Sequence, residues 1–222
     1  MQTEPRPVIA ILGGSGSEGS GLAFRWAHAG YPVIIGSRSA EKAAQAAKEI
    51  NAALGREVVR GLGNPAAAAA IVVLTVPYAA QRPTVEEVRH ALPGKILVDV
   101  TVPLMPPKVN RVQLPGAGSA VEAIQKLLGP EVKVVSAFQN ISAHHLKDLD
   151  HVIECDVLVC SDDREAADRV IGLARDIGLG AWNAGVLANS AAAEALTSVL
   201  IAMNQRYKVP AAGLRITGIP RP

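Results

Sequence analysis

The amino-acid sequence predicts an α/β fold built around a parallel β-sheet. The chain has 222 residues, of which 49% are hydrophobic, which corresponds to about one and a half typical domains with a large core. Short β-branched runs alternate with longer alanine-rich segments that carry spaced charges, and this is the pattern of βαβ units. The first run, Val8–Leu12, is apolar throughout, as expected of a strand buried on both faces of a sheet.

The first 140 residues hold most of the predicted elements. Strands are predicted at Val8–Leu12, Val33–Ser37, Glu57–Gly61, Ile71–Val76, Ile96–Val100 and Val132–Ala137. Helices are predicted at 18–29, from the capping residue Ser39 to 54, and from the Ser119-x-x-Glu122 capping box to 128. A short alanine helix is predicted after Asn64-Pro65, and a separate helix that ends at Leu92 is predicted after the fourth strand. Gly55 stands where a helix-ending glycine is favoured.

The remaining third of the chain has shorter units. A short helix is predicted at 142–149, a strand at 157–160, a helix at 164–177 and a last helix at 190–204, before an irregular tail at 209–222. A domain boundary near residue 140 therefore divides the chain into residues 1–141 and a smaller α/β part, residues 142–222.

Composition excludes several classes of function. The net charge of +2 and an aromatic content of 3% give little reason to expect a binder of nucleic acid or membrane surfaces. Cys155 and Cys160 are too few for a disulfide framework, and their spacing does not match a zinc site. No run of apolar residues is long enough for a signal sequence or a membrane span. We expect a cytoplasmic protein.

A glycine-rich turn follows the first strand and opens the first helix. It contains Gly14-x-Gly16-x-x-Gly19, and this motif in this context is the fingerprint of dinucleotide binding. Its glycines let the backbone approach a pyrophosphate, whose charge is stabilised by free amides at the helix N-terminus. A tight turn without a ligand is the alternative interpretation.

The end of the second strand indicates which dinucleotide binds. An acidic residue usually follows about 20 positions after the turn when the cofactor is NAD, but this chain has Ser37 and Arg38 there. Arginine can bind a phosphate through two parallel hydrogen bonds, and Lys42 adds positive charge one helical turn later. We therefore expect NADP(H) rather than NAD(H), unless these side chains are ordinary solvated charges.

The familiar acid–base motifs are missing. No Tyr-x-x-x-Lys, GxSxG, HExxH or P-loop pattern occurs, and the five histidines have spacings that do not favour a metal site. We therefore assign no catalytic residue and no metal. A hydride transfer between two cofactors needs least from the protein, because the chain mainly aligns two rings.

Several segments resemble one family, the NADPH-dependent reductases of the 8-hydroxy-5-deazaflavin coenzyme F420. These segments are Ile11–Ala23, Gly36–Arg38, Leu74–Pro77, Val135–Ala137, Ala188–Ser190 and Gly213–Gly218. The resemblance covers essentially the whole chain. It implies a Rossmann-type NADP-binding domain over residues 1–141, and a smaller domain over 142–222 that closes the deazaflavin cleft and forms a homodimer. It also implies hydride transfer between NADP(H) and coenzyme F420.

The resemblance implies a set of cofactor-binding residues. The pyrophosphate would lie against Gly14, Ser15, Gly16, Ser17, Glu18 and Gly19, and the 2′-phosphate against Ser37, Arg38 and Lys42. Val76, Pro77 and Tyr78 would lie beside the adenosine and the nicotinamide ribose, and Pro103 and Ala143 would border the nicotinamide. The deazaflavin would lie near Gln139 and Ala212.

One residue departs from the pattern of some archaeal relatives, which carry a histidine where this chain has Gln139. Gln139 and Asn140 can still hydrogen-bond a deazaflavin carbonyl, or they can secure the end of a strand. Two other functions stay open from the residues alone. One is an NADPH-dependent reductase of ferric iron, flavin or a cyclic imine, and the other is a module that senses NADPH without catalysis.

Overall fold

The computed structural model of the chain describes residues 5–67 and 69–221. Its strands are β1 (Ile9–Leu12), β2 (Val33–Ser37), β3 (Val59–Gly63), β4 (Ile71–Leu74), β5 (Ile96–Asp99), β6 (Lys133–Ser136), β7 (Asp156–Val159) and β8 (Gly180–Asn183). Its helices are α1 (Ser17–His28), α2 (Ala40–Leu54), α3 (Tyr78–Val88), α4 (Ala120–Leu128), α5 (Arg164–Arg175) and α6 (Ser190–Tyr207).

Six strands form a parallel sheet in the order β3-β2-β1-β4-β5-β6. Ile9 of β1 pairs with Val33 on one side and with Ile71 on the other, so β1 lies inside the sheet. The chain reverses its direction of travel across the sheet between β1 and β4, and in such folds ligands bind beyond the carboxyl ends of the strands at this point. The predicted fold class, an α/β fold of the Rossmann type, is confirmed.

The main hydrophobic core continues from this sheet into the last third of the chain. All four residues of β1 are buried, and one cluster of buried residues extends from Ile9 to Ala181. Trp26 of α1 is fully buried. Its ring contacts Phe138 edge to face at 5.7 Å, and its indole N–H donates to the Leu173 carbonyl at 3.0 Å. Helix α1 is therefore packed between the large sheet and α5.

A second, two-stranded parallel sheet, β7–β8, lies in the last third. Strand β8 was not predicted. It has only four residues, of which only Ala181 is buried, so its sequence shows no hydrophobic alternation. β8 forms because it pairs with β7 along its whole length.

Two predicted helices are wrong. The segment 142–149 contains a single 3₁₀ turn, Ala143–His145, because its backbone carbonyls bind the buried Arg25 side chain. Arg25 donates to the carbonyls of Leu146 at 2.9 Å and Asp148 at 2.6 Å. The alanine segment before β4 forms only the 3₁₀ turn Asn64–Ala67. Residue 68 of that segment lies outside the described residues.

Candidate functional site

The loop between β1 and α1 depends on glycines where the backbone approaches its neighbours most closely. Gly13 has a φ of +79°, and a Cβ there would lie 2.6 Å from the Cγ1 of Val76. A Cβ on Gly19 would lie 2.7 Å from the Cα of Gly14. Both positions therefore require glycine, and they bring the start of α1 against the ends of β1 and β4.

The first turn of α1 has free backbone amides. The helix begins at Ser17 with Gly16 as its N-cap, and no side chain caps it. The first amide that bonds to a carbonyl one turn back is that of Ser20, which donates to Gly16 at 2.9 Å. The three preceding amides are free to bind an anion, which the helix dipole also favours. This terminus suits a pyrophosphate.

Glu18 is the acidic side chain of this turn. Glu18 is half-buried, and desolvation raises the pKa of its carboxyl to about 8, which favours the neutral form at neutral pH. A neutral carboxyl does not repel a pyrophosphate at the helix start, as an ionised one would.

A positively charged corner follows β2. Ser37 is buried, and its hydroxyl oxygen accepts from the Ser39 amide at 3.3 Å. Ser39 then caps α2 by accepting from the Lys42 amide at 3.2 Å, which places Lys42 in the first helical turn. The side chains of Arg38 and Lys42 are exposed, and within the described part of the chain neither forms an ion pair. This corner can receive a phosphate.

The neighbouring acidic residue, Glu41, is bonded elsewhere. Its carboxylate accepts a hydrogen bond of 2.7 Å from the Ser39 hydroxyl, and this bond lowers the pKa of Glu41. Among the described residues, Glu41 forms no ion pair with Arg38 or Lys42, so both basic side chains can contact a ligand.

One cleft joins the glycine-rich loop to this corner and to the end of β4. Its predicted members are Ser15, Gly16, Ser37, Arg38, Val76 and Pro77. Asn64 and Thr75 also line it, although neither was predicted as a site residue. The Thr75 hydroxyl donates to the Leu12 carbonyl at 2.9 Å, which fixes the end of β4 against β1.

Asn64 provides a test of whether this cleft fits a nucleotide. It is 2% exposed, and its amide donates to Glu87 at 3.2 Å. Its carbonyl oxygen Oδ1 is buried and has no partner among residues 5–67 and 69–221. Such an orphan acceptor is costly unless a ligand or water pairs with it, so its place in the cleft fits a donor of a bound nucleotide. The signal in the sequence was a polar residue directly after β3.

Buried polar side chains lie beyond the carboxyl ends of β5 and β6. Asp99 ends β5 and is fully buried; its carboxylate accepts from the Thr101 amide at 2.9 Å and from Gln81 at 2.6 Å. The side-chain amide of Gln139 donates to the backbone carbonyl of Asp99 at 2.8 Å. Four buried oxygens nearby have no hydrogen-bond partner among the described residues, those of Thr101 (Oγ1), Ser136 (Oγ), Gln139 (Oε1) and Asn140 (Oδ1). This edge can therefore hydrogen-bond the donors of a further ligand.

The backbone at Phe138 sets where these amides point. Phe138 has a φ of 72°, which is uncommon for a bulky residue. Packing of its ring on Trp26 holds it there. Strained backbone of this kind is typical of functional sites. Gln139 and Asn140 come immediately after it in the chain.

A second cavity lies between residues 140–155 and the tail. It is lined by Asn140, Ser142, His145, residues 151–155 and residues 209–212. Ala212, which was predicted as a site residue, therefore lines the same cavity as Asn140. The amide of Ala212 donates to the Asn204 side chain at 2.7 Å, which ties this wall to α6.

The remaining predicted residues do not line either cavity. Gly14, Ser17, Glu18 and Gly19 belong to the loop and the first turn of α1, Lys42 lies in the first turn of α2, and Tyr78 begins α3. Pro103, Gln139 and Ala143 lie in the segments that follow β5 and β6. All of these segments follow the carboxyl ends of the large sheet's strands.

Two buried carboxyl groups lie beneath this edge. Burial raises the pKa of Asp99, although the bonds from Thr101 and Gln81 oppose the shift. Glu194 of α6 is 1% exposed and accepts from the amides of Ala120 at 2.8 Å and Val121 at 3.1 Å. Burial raises its pKa to about 7 despite these bonds. Glu194 thereby fastens α6 to the N-terminus of α4.

The chain is similar to several known proteins over nearly its whole length. A family profile described as "NADP oxidoreductase coenzyme F420-dependent" matches residues 8–103. The chain is 42% identical to an F420-dependent NADP reductase of Methanocaldococcus jannaschii, over 95% of this chain and 98% of that protein. It is also 42% identical to a protein of the same name from Methanothermobacter thermautotrophicus, with 96% and 95% covered.

Comparison of structures concerns the fold. A hypothetical protein from Sinorhizobium meliloti superposes with a TM-score of 0.68 at 24% identity, over 84% of this chain and 88% of that one. Among the residues that the structure describes, no helix is long and apolar enough to cross a membrane. The relatives from both methanogens are matched nearly end to end. The chain therefore belongs to the family of F420-dependent NADP oxidoreductases, and the family predicted from its motifs is confirmed.

Proposed function

We propose that this chain transfers a hydride between NADP(H) and coenzyme F420. The observation that carries the proposal is the match to F420-dependent NADP reductases at 42% identity over 95% of the chain. The cleft is consistent with it, since a glycine-rich anion site and a basic corner lie at one end and unpaired buried amide oxygens follow β6.

The NADP(H) molecule would bind along the carboxyl edge of the large sheet. The amides at the start of α1 would hold the pyrophosphate, and Ser37, Arg38 and Lys42 would hold the 2′-phosphate. Val76, Pro77 and Tyr78 would lie beside the adenosine and the nicotinamide ribose. Pro103 and Ala143 would border the nicotinamide. The orphan acceptor of Asn64 would accept a bond from the nucleotide.

The two cofactors supply the redox chemistry when bound. The chain would contribute alignment, because Val76 and Pro77 after β4 line the cleft in which the rings would lie. Gln139 and Asn140 would orient ring donors through their unpaired oxygens. Residues 209–212 would cover the deazaflavin and keep water from it.

We also propose that residues 1–141 form the NADP-binding domain and residues 142–222 the smaller domain that closes the cleft. The small β7–β8 sheet and α6 support this division. The chain would form a homodimer through the smaller part, since Val199, Met203 and Tyr207 expose 43%, 41% and 68% of their surface along α6 at a spacing that puts them on one face.

The protein would act in the cytoplasm. Both cysteines are buried and unpaired, as is usual where thiols are kept reduced. This location suits an enzyme whose substrates are soluble nucleotide-type coenzymes.

A spectrophotometric assay with NADPH and oxidised coenzyme F420 tests the reaction. We expect the deazaflavin absorbance to fall with NADPH and to stay nearly constant with NADH. Riboflavin, ferric citrate and pyrroline-5-carboxylate replace coenzyme F420 in parallel assays. Turnover with one of these alone would favour that acceptor, and tight NADPH binding with no turnover at all would favour a sensing module.

A further inference from the structure

The tail of the chain is bonded to the start of β7. The Asp156 amide donates to the Leu214 carbonyl at 2.8 Å, and the Ile216 amide donates back to the Asp156 carboxylate at 2.7 Å. Over its described residues, the tail has no helix or strand of its own after α6. These bonds are therefore among those that set its course.

Asp156 collects four hydrogen bonds with its carboxylate, which is 2% exposed. Besides Ile216, Trp182 donates at 3.0 Å, and a guanidinium nitrogen of Arg221 donates to the two oxygens at 2.9 and 3.2 Å. Burial alone would raise the pKa of Asp156, but these bonds and the Arg221 charge outweigh it and lower the pKa. The carboxylate stays ionised and holds both ends of segment 216–221.

The same tail forms one wall of the second cavity. Residues 209–212 lie opposite Asn140, whose Oδ1 is buried and unpaired. Next to this wall, a Cβ on Gly213 would lie 2.7 Å from the Cβ of Cys155, so the tail is closely packed there. The tail between Ala212 and Ile216 is thus continuous with the part that Asp156 binds, and Leu214 between them is bonded to the Asp156 amide.

We propose that Asp156 and Arg221 are positioning residues for coenzyme F420: their ion pair holds the tail so that residues 209–212 form the wall of the deazaflavin pocket. The inference rests on the proposed function. Neither side chain lines the cavity, so both act through the tail and not through contact with the coenzyme.

The test uses the full chain with Arg221→Ala, Arg221→Lys and the control Arg164→Ala. Arg221 itself lies at the surface, and after its removal Trp182 and Ile216 can still donate to the Asp156 carboxylate. Arg164 is an exposed arginine whose ion pair lies within α5. For Arg221→Ala we expect the KM for coenzyme F420 to rise about tenfold, consistent with loss of one charge-assisted hydrogen bond. The kcat and the Kd for NADPH should stay within about twofold of wild type.

A second readout does not depend on turnover. The Leu214 amide donates to the Cys155 sulfur at 3.4 Å, and the Ile216 amide donates to the Asp156 carboxylate. Hydrogen exchange of both amides should be faster in Arg221→Ala than in wild type, because these bonds open more often when the tail loosens. Arg221→Lys should restore much of the protection and of the KM, since it keeps the charge. Arg164→Ala should change neither.

The outcomes separate the two proposals. A wild-type protein that does not reduce coenzyme F420 with NADPH overturns the proposed function and this inference with it. An active wild type in which Arg221→Ala keeps its KM for coenzyme F420 overturns the inference alone. Equal losses of NADPH and coenzyme F420 binding would also overturn it, because they indicate general destabilisation.

Discussion

Arg38 is the residue on which the choice of nucleotide depends. It follows the buried Ser37 in the cleft and is free of ion pairs within the described residues. We expect Arg38→Ala to raise the Kd for NADPH by about 10- to 100-fold, the loss of a charge-assisted contact to phosphate. The Kd for NADH should hardly change. Fluorescence titration measures both, with the exposed Arg82→Ala as the control. An equal loss for NADH would contradict a 2′-phosphate role.

Gly19 shows how tightly a single position can limit the loop. A Cβ there would meet the Cα of Gly14 at 2.7 Å. We expect Gly19→Ala to lower the free energy of unfolding by about 1–3 kcal/mol, since backbone must shift to admit the methyl group, and to weaken NADPH binding. Gly116→Ala is the matched control, because nothing lies within 4 Å of a Cβ at that exposed glycine. Urea denaturation that finds both variants alike would refute the packing argument.

At the scale of elements, one buried carboxylate joins two helices. Glu194 of α6 accepts from the first amides of α4, and its pKa is raised from 4.5 to about 7 by burial. The folded protein thus holds this proton to higher pH than the unfolded chain does. The contribution of protonated Glu194 to the free energy of unfolding is fully present below pH 4.5 and is lost as the pH rises through about 7.

Glu194→Gln removes this titration. We expect the unfolding free energy of wild type minus that of the variant to be smaller at pH 8 than at pH 5, measured by urea denaturation. Glu131→Gln, at an exposed glutamate, is the control. A difference that is the same at both pH values would show that Glu194 does not titrate in this range.

At the scale of the whole molecule, the exposed apolar residues of α6 lead to a prediction about assembly. We expect the wild-type chain to sediment at twice its own mass and Met203→Glu to shift it toward the monomer, because a charge would be buried in the interface. Analytical ultracentrifugation at equal concentrations measures this. Ala44→Glu adds the same charge at an exposed position of α2 and should leave the mass unchanged. A monomeric wild type would contradict the homodimer.

Local patterns in the chain were enough to predict much of the molecule. Short β-branched runs predicted the six strands of the large sheet, although β3 lies at 59–63 and not at 57–61. As an edge strand it is positioned by pairing Val59 with Val33, which no pattern within the strand records. The capping serines, Ser39 and Ser119, are confirmed as N-caps, because capping is a contact between residues three apart.

The sequence by itself determined the six strands of the large sheet in their order along the chain, the glycine-rich loop and the basic corner after β2, since each depends on residues close together along the chain. Only the tertiary structure decided which polar groups are left without a partner and how the tail is held. Asn64 enters the cleft because β3 pairs beside β2. Asp156 meets Arg221 across 65 residues. Contacts over such separations depend on the packing of the whole chain, and no local pattern encodes them.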